Sequence, residues 1–278
     1  MSSANSFRFA RAPAAAKAVS VLLATVVATA TVAGTAFAQR RAAPATPPAS
    51  GRAGAPIDIT GNWVSLITDD WVYRMITPKK GDYSYVPLNA EGRRVADTWD
   101  PERDKAAGEE CKGYAAPAIM RLPSRVQISW QNDNTLKLDI DNGMQTRLFH
   151  FDQREPQSAR SWQGWSYARW ELSGSTERQM VFADAKTSLG DVKRQGALHV
   201  DTSNLRAGYL RKNGVPFSED AFMTEYYNLI VEEDGNQYLV IQTYVEDPKY
   251  LSAHFVRTLQ FRREPDASKR APVPCSAS

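Results

Sequence analysis

From Arg125 onward, apolar and polar residues alternate with period two. Val126, Ile128 and Trp130 share one face of the stretch 125–131, with Gln127 and Ser129 on the other. This is the signature of a half-buried strand. Leu136, Leu138 and Ile140 repeat the alternation, and Asn142-Gly143 supplies a strong hairpin signal before a third strand over 145–151. The stretches 165–172, 178–183 and 197–203 read as three more strands. The stretches 222–232 and 238–245 flank the turn dipeptide Asp234-Gly235, and 254–262 closes the series.

Upstream, the stretches 57–67 and 71–76 also read as strands, the second because Val72, Arg74 and Ile76 are in phase. One interval, near 89–107, carries helical spacing instead. Asn89 can cap a helix with Val95 and Trp99 on one face, and Asp100-Pro101 starts a second short helix that ends by Gly108. About ten strands with one short helical insertion predict a mainly β chain closed into an antiparallel barrel. Closure removes the sheet edges that such a series would otherwise expose.

The N-terminal region follows different rules. Arg8, Arg11 and Lys17 precede an apolar stretch from Ala18 to Val32, and Ala36-Phe37-Ala38 gives a small-x-small cleavage pattern. Residues 1–38 therefore read as a signal peptide cut after Ala38, which predicts a periplasmic or secreted protein. A retained membrane anchor is the alternative, although the run is short for a span. Residues 39–56 hold almost only Ala, Pro, Gly, Ser, Thr and Arg. They read as a disordered spacer, leaving 57–278 as a single domain.

Composition narrows the function classes. A mean hydropathy of -0.46 and the lack of a second long apolar run exclude a polytopic integral membrane protein. The net charge of +3 is misleading. Of the 34 basic residues, Arg8, Arg11, Lys17, Arg40, Arg41 and Arg52 precede the first acid, so 28 bases face 31 acids beyond them. That balance gives no support for a nucleic-acid partner. Cys111 and Cys275 are the only cysteines, and an oxidising compartment favours their pairing as a disulfide.

Gly61-Asn62-Trp63 opens the first strand, and basic residues lie on the last. A Gly-x-Trp on strand one followed by a meander resembles the lipocalins and wider calycins. In those families the Trp closes one end of the barrel and a late Arg packs over it. The resemblance implies a lipocalin-like barrel with Gly61 and Trp63 as barrel-closing residues and Arg257 or Arg262 over the ring. The chain from residue 57 is also similar to a group of uncharacterised exported bacterial proteins. The phrases DWVYRMITPKKGDY, VPLNAEGRRVADTWDP, AGYLRKNGVPFS and VEDPKYL carry that likeness.

The candidate chemistry is sparse. His150, His199 and His254 sit on separate strands without metal-ligand spacing and read as unconnected, so no metal or cofactor is expected. Ser166 lies in a Gly-x-Ser-x-Ala stretch without the strand-to-helix turn a nucleophile elbow needs. Arginines in apolar phase are more informative, because a buried guanidinium must meet an acid, reach solvent or meet an anionic ligand. Arg147 shares a face with Phe149 and Phe151, and Arg257 with Phe255, Leu259 and Phe261. The leading expectation is a barrel binding a small hydrophobic ligand, including one with an acidic head group. Arg147 and Arg257 would be its anchors, and Trp130, Phe149, Trp165, Tyr226 and Tyr244 its wall. The alternatives are a barrel enzyme with isomerase- or hydratase-type acid–base chemistry and an envelope interaction module with a filled core. The segment 209–216 reads as a turn-containing connector or a lid over the barrel mouth.

Overall fold

The computed structural model describes residues 50–172 and 196–277. Nine strands close into one barrel, and most form where the alternation places them. They are β1 (Gly61–Leu66), β2 (Arg125–Asn132), β3 (Thr135–Ile140), β5 (Gln145–His150), β6 (Trp165–Leu172), β7 (Gly196–Ser203), β10 (Phe222–Val231), β11 (Gln237–Glu246) and β12 (Phe255–Arg263). The order around the wall is β1-β12-β11-β10-β7-β6-β5-β3-β2, and β1 closes the ring by pairing with β2. The expected strand over 178–183 lies outside the described residues.

The barrel is mixed rather than wholly antiparallel. Strands β5 and β6 run parallel, with Phe149 opposite Ser166 and His150 opposite Tyr167. Parallel neighbours need a connection that returns along the wall, and the segment between His150 and Trp165 provides it.

Among the described residues, four short α-helices, two short 3-10 helices and two small strand pairs lie outside the wall. They include α1 (Trp71–Met75), α2 (Ala90–Ala96), α3 (Pro101–Ala106) and α4 (Ala116–Ile119). The expected helical insertion is present. The Asn89 side chain accepts a hydrogen bond from the Gly92 amide at 2.8 Å, and the Asp100 side chain accepts one from Glu102. A cap of this kind contributes about 1 kcal/mol.

The strand expected over 71–76 is instead helix α1. Its alternation misleads because the burial is inverted: Arg74 is buried while Val72 and Ile76 are exposed. The amides of Tyr73 and Arg74 both donate to the Asp70 carbonyl, which starts the helical turn.

Strands β8 (Gly208–Arg211) and β9 (Val215–Phe217) form a hairpin whose turn contains Gly214 at φ +83°. The other pair joins β4 (Asn142–Gly143) to β13 (Val273–Pro274) in parallel. This contact brings the C-terminal tail back to the barrel, where Cys275 is disulfide-bonded to Cys111. Residues 50–56, compositionally part of the spacer, also lie against the wall. The Trp170 indole donates to the Gly51 carbonyl at 2.6 Å, and Gly51 itself packs on the Phe151 ring.

Inward side chains from every wall strand make the larger core: Trp63, Ile128, Leu138, Phe149, Val200, Tyr227, Ile241 and Phe261 are among its buried members. Their phase is the one the alternation predicts for β2, β3, β5 and β12, whereas on β11 Tyr244, expected in the lumen wall, is out of phase with the buried Leu239, Ile241 and Val245. At one end the Arg263 guanidinium lies over the Trp63 ring, 5.2 Å from its centre. The arginine covering Trp63 is thus Arg263, not Arg257 or Arg262. Arg262 points outward, and Arg257 lies toward the other end of β12. Gly61, at φ +120°, leaves room for this contact, since a Cβ there would come within 2.9 Å of Arg263 Nη2.

Candidate functional site: an arginine cluster at the barrel mouth

At the end opposite Trp63, four arginines from four different segments converge on two adjacent carboxylates, Arg74 on Asp69 at 3.4 Å and the other three on Asp70. Arg257 comes from β12, Arg74 from α1, Arg121 from the turn after α4, and Arg211 from the end of β8. Asp70, which precedes α1, sits among them. Its carboxylate accepts a hydrogen bond from Arg121 at 2.6 Å and lies 3.4 Å from Arg257 Nε and 3.8 Å from Arg211 Nη2. The Asp70 backbone is left-handed, at φ 52°. A non-glycine residue rarely adopts that conformation without a structural reason. Here the backbone turn directs the side chain at the guanidinium groups instead of at the helix amides it would otherwise cap.

The arginines are under-neutralised. Arg121 is 5% exposed, and burial together with the positive charges of Arg211, Arg257 and Arg74 pushes its pKa down to about 9, against the opposing pull of Asp70. Burial also lowers the pKa of Arg74 and of Arg211. All three guanidinium groups remain charged at neutral pH.

Their hydrogen bonding is incomplete. Arg74 Nε donates to the Arg121 carbonyl at 2.9 Å, but its Nη2 has no partner. Arg121 Nε has none, and neither do Nε, Nη1 or Nη2 of Arg211, a residue 3% exposed. The Arg211 guanidinium lies over the Tyr73 ring at 4.5 Å, which offsets part of the charge but provides no acceptor. Buried donors without acceptors are costly, at about 1–3 kcal/mol each and more when charged.

The cluster opens to solvent on both sides of α1. One cleft of about 330 Å³ is bounded by Arg74, Met75, Ile76, Arg121 and Arg211. The other, about 570 Å³, is bounded by Asp70, Trp71, Tyr85 and Arg257. Both are in the size range of small-molecule sites. The hairpin β8–β9 is therefore more than a plain connector, because it delivers Arg211. The buried Asn213 anchors it by donating to the carbonyls of Lys79 and Asp82 at 3.1 and 2.9 Å.

Toward the lumen the path narrows. Between α4 and the wall residues Glu225, Thr243 and Leu259 the enclosed void is about 10 Å³, room for about one water molecule. Below it Arg147 forms a two-pronged ion pair with Glu225, at 3.1 and 2.6 Å. Tyr227 donates its hydroxyl to the same carboxylate at 3.2 Å.

The residues singled out from sequence therefore fall into separate places. Arg257 belongs to the mouth cluster, while Arg147 is buried in the lumen with its charge met by Glu225. Phe149 and Trp130 face the core, Phe149 against Tyr227 and Trp130 against Phe151. Trp165, Tyr226 and Tyr244 project from the outer wall. Trp165 stacks on His150 at 4.0 Å, and Tyr226 lies 4.5 Å from the His199 ring. His199 sits between the carboxylates of Glu171 and Asp201 on that outer face, away from any lumen. Ser166 is buried within β6 and shares a hydrogen bond with Thr202.

Sequence reasoning missed Arg121, Arg211 and Asp70. Asp70 and Arg121 lie in short irregular segments and Arg211 ends the four-residue strand β8, too short for a periodicity to mark a buried face. The only available signal was a charge beside a compact apolar run, as in Ala-Ile-Met-Arg121 and Tyr-Leu-Arg211.

Among the described residues no helix is long and apolar enough to cross a membrane, and no group of three or more His, Cys, Asp or Glu could hold a metal ion. Compared with known proteins, the chain matches no family model, and neither curated proteins nor solved structures give a significant match.

Proposed function

We propose that this is an exported, lipocalin-like barrel protein that binds a small amphiphilic anion at its arginine-lined mouth. The observation that carries the reading is Arg211, a charged side chain 3% exposed, with no hydrogen-bond acceptor, lining an open cleft. An incoming carboxylate, sulfate or phosphate would supply the missing acceptors. Arg is suited to this because its planar fork matches such oxyanions. The apolar part of the ligand would lie along Met75 and Ile76 or along Trp71 and Tyr85, which border the two clefts. Export is supported by the leader-like first 38 residues and by a disulfide, which oxidising compartments favour.

The test is displacement of a fluorescent fatty-acid probe, alongside native mass spectrometry of protein purified from the periplasm. Arg211→Met should weaken probe binding about tenfold to a hundredfold, the loss expected for a charged hydrogen bond. A co-purified anion should also disappear in that variant. Probe binding that ignores Arg211→Met, or a wild-type protein that takes up no anion, overturns the reading.

A further inference from the structure

The two clefts share an apolar crest. Trp71 is 62% exposed, Met75 58%, Ile76 62% and Tyr85 74%, and Val72 lies exposed between them. Three of these residues come from the five-residue helix α1 and Ile76 follows it directly, and the helix's buried contact with the protein is made by Arg74. A helix normally buries its apolar face and exposes its charge. Here the arrangement is reversed: the charge is underneath and the apolar side chains point out. Tyr85 reinforces the crest from a neighbouring loop at φ 62°, and its carbonyl accepts a 2.7 Å hydrogen bond from Arg257. The crest is thereby tied directly to the cluster below it.

The charge beneath the crest is unbalanced. Arg74, Arg121, Arg211 and Arg257 share Asp69 and Asp70, and Asp82 lies farther out beside Arg211. The positive sign is in surplus, and the donors left over lie at the floor of a cleft whose rim is Met75 and Ile76. Trp and Tyr are suited to the boundary between hydrocarbon and head groups, since each has an apolar body and a polar tip. A cationic floor behind an apolar rim complements a single kind of surface, in which anionic groups lie just above hydrocarbon.

From this we infer that the mouth docks on a lipid bilayer and takes the phosphate of an anionic phospholipid among its arginines. The inference rests on the anion-binding reading above and names both the ligand class and its source. Trp71, Met75 and Ile76 enter the head-group layer, and Arg211 and Arg74 reach the phosphate that the crest brings to the cleft. Anionic surfaces attract basic residues by about 1 kcal/mol each, and apolar insertion adds to this.

The experiment is vesicle co-sedimentation of the mature protein, with phosphatidylcholine vesicles containing or lacking phosphatidylglycerol. Monomeric octyl phosphate is titrated in parallel. Wild-type protein should sediment with the phosphatidylglycerol vesicles and not with phosphatidylcholine alone. The double variant Trp71→Ser/Ile76→Ser removes only exposed side chains, so it should keep its thermal midpoint and the rise of that midpoint with inorganic phosphate, which has no chain to lay along either residue, while its hold on octyl phosphate weakens. Its vesicle binding should fall about tenfold or more, because burying either side chain is worth more than one decade of affinity. Arg211→Met should lose both ligands. Wild-type protein that binds octyl phosphate but neither vesicle overturns bilayer docking and leaves the anion site standing. Failure to bind either ligand overturns both. Equal binding to the two vesicle types, or vesicle binding that survives Trp71→Ser/Ile76→Ser, also overturns the inference.

Discussion

Arg147 and Glu225 meet inside the barrel through two hydrogen bonds, with 0% and 1% of their side chains exposed. Tyr227 and Thr202 complete the polar contacts, and the Arg147 guanidinium also lies 4.9 Å from the Phe149 ring. A pair this deep is costly to desolvate and damaging to split. Arg147→Met or Glu225→Gln alone should therefore cost about 3–5 kcal/mol, because each leaves a charge or a set of donors stranded. The double variant Arg147→Met/Glu225→Leu should recover most of that loss. Urea denaturation of the three variants tests the expectation, and a double variant no better than the worse single one would contradict it.

Arg211 is expected to behave in the opposite way. It has no hydrogen-bond acceptor to lose, its nearest carboxylate being Asp70 at 3.8 Å, and Met replaces most of the volume of its stem. In buffer free of phosphate and sulfate, Arg211→Met should stabilise the fold by about 1–2 kcal/mol, the usual gain when an unfavourable functional residue is removed. Thermal midpoints with and without added phosphate test this, because the anion should raise the wild type and leave the variant unmoved.

Gly61 and Arg263 make a third prediction. Gly61→Ala places a Cβ at φ +120° and against the guanidinium that covers Trp63. The combined backbone strain and displacement should cost about 1–3 kcal/mol. Arg263→Ala, which keeps the backbone intact, should cost about 0.5–1 kcal/mol through the lost ring contact. Chemical denaturation that ranks them the other way would show that the contact, not the turn, limits stability.

His150 gives a pH dependence. Stacking on Trp165 removes it from water, and this burial lowers its pKa against a smaller opposing effect of Asp152. The unfolded chain therefore binds a proton at a higher pH than the folded one. Stability is complete above the ordinary histidine range and declines as pH falls through it. His150→Gln should flatten that decline, as read from urea midpoints at mildly alkaline and mildly acidic pH. An unchanged slope would assign the decline to other groups.

The disulfide closes a loop of 164 residues between Cys111 and Cys275. Replacing both cysteines with alanine should cost about 2–5 kcal/mol, since a long loop restricts the unfolded chain most. Comparing denaturation of the double variant with that of the oxidised wild type measures the loss, and the reduced wild type should match the variant.

Alternation along the chain determined most of the wall, because a residue's neighbours two positions away share its face whatever the rest of the fold does. It located β2, β3, β5, β6, β10, β11 and β12, and Asn89 and Asp100 marked their helices through local capping chemistry. The inward phase was legible only where one face was plainly more apolar, as on β2 and β3. On β10 both phases carry a tyrosine, and packing against Arg147 rather than any local preference turned Glu225 and Tyr227 inward and Tyr226 outward. The parallel β5–β6 contact and the identity of the arginine over Trp63 likewise depend on how the ring closes. The mouth cluster depended most on tertiary structure. Asp70, Arg74, Arg121, Arg211 and Arg257 are spread over nearly 190 positions of the chain, and three of the five sit in segments with no repeating pattern. Electrostatic coupling depends on distance in space, so no reading along the chain could bring these charges together before the barrel closed and placed one end of each segment at the same rim.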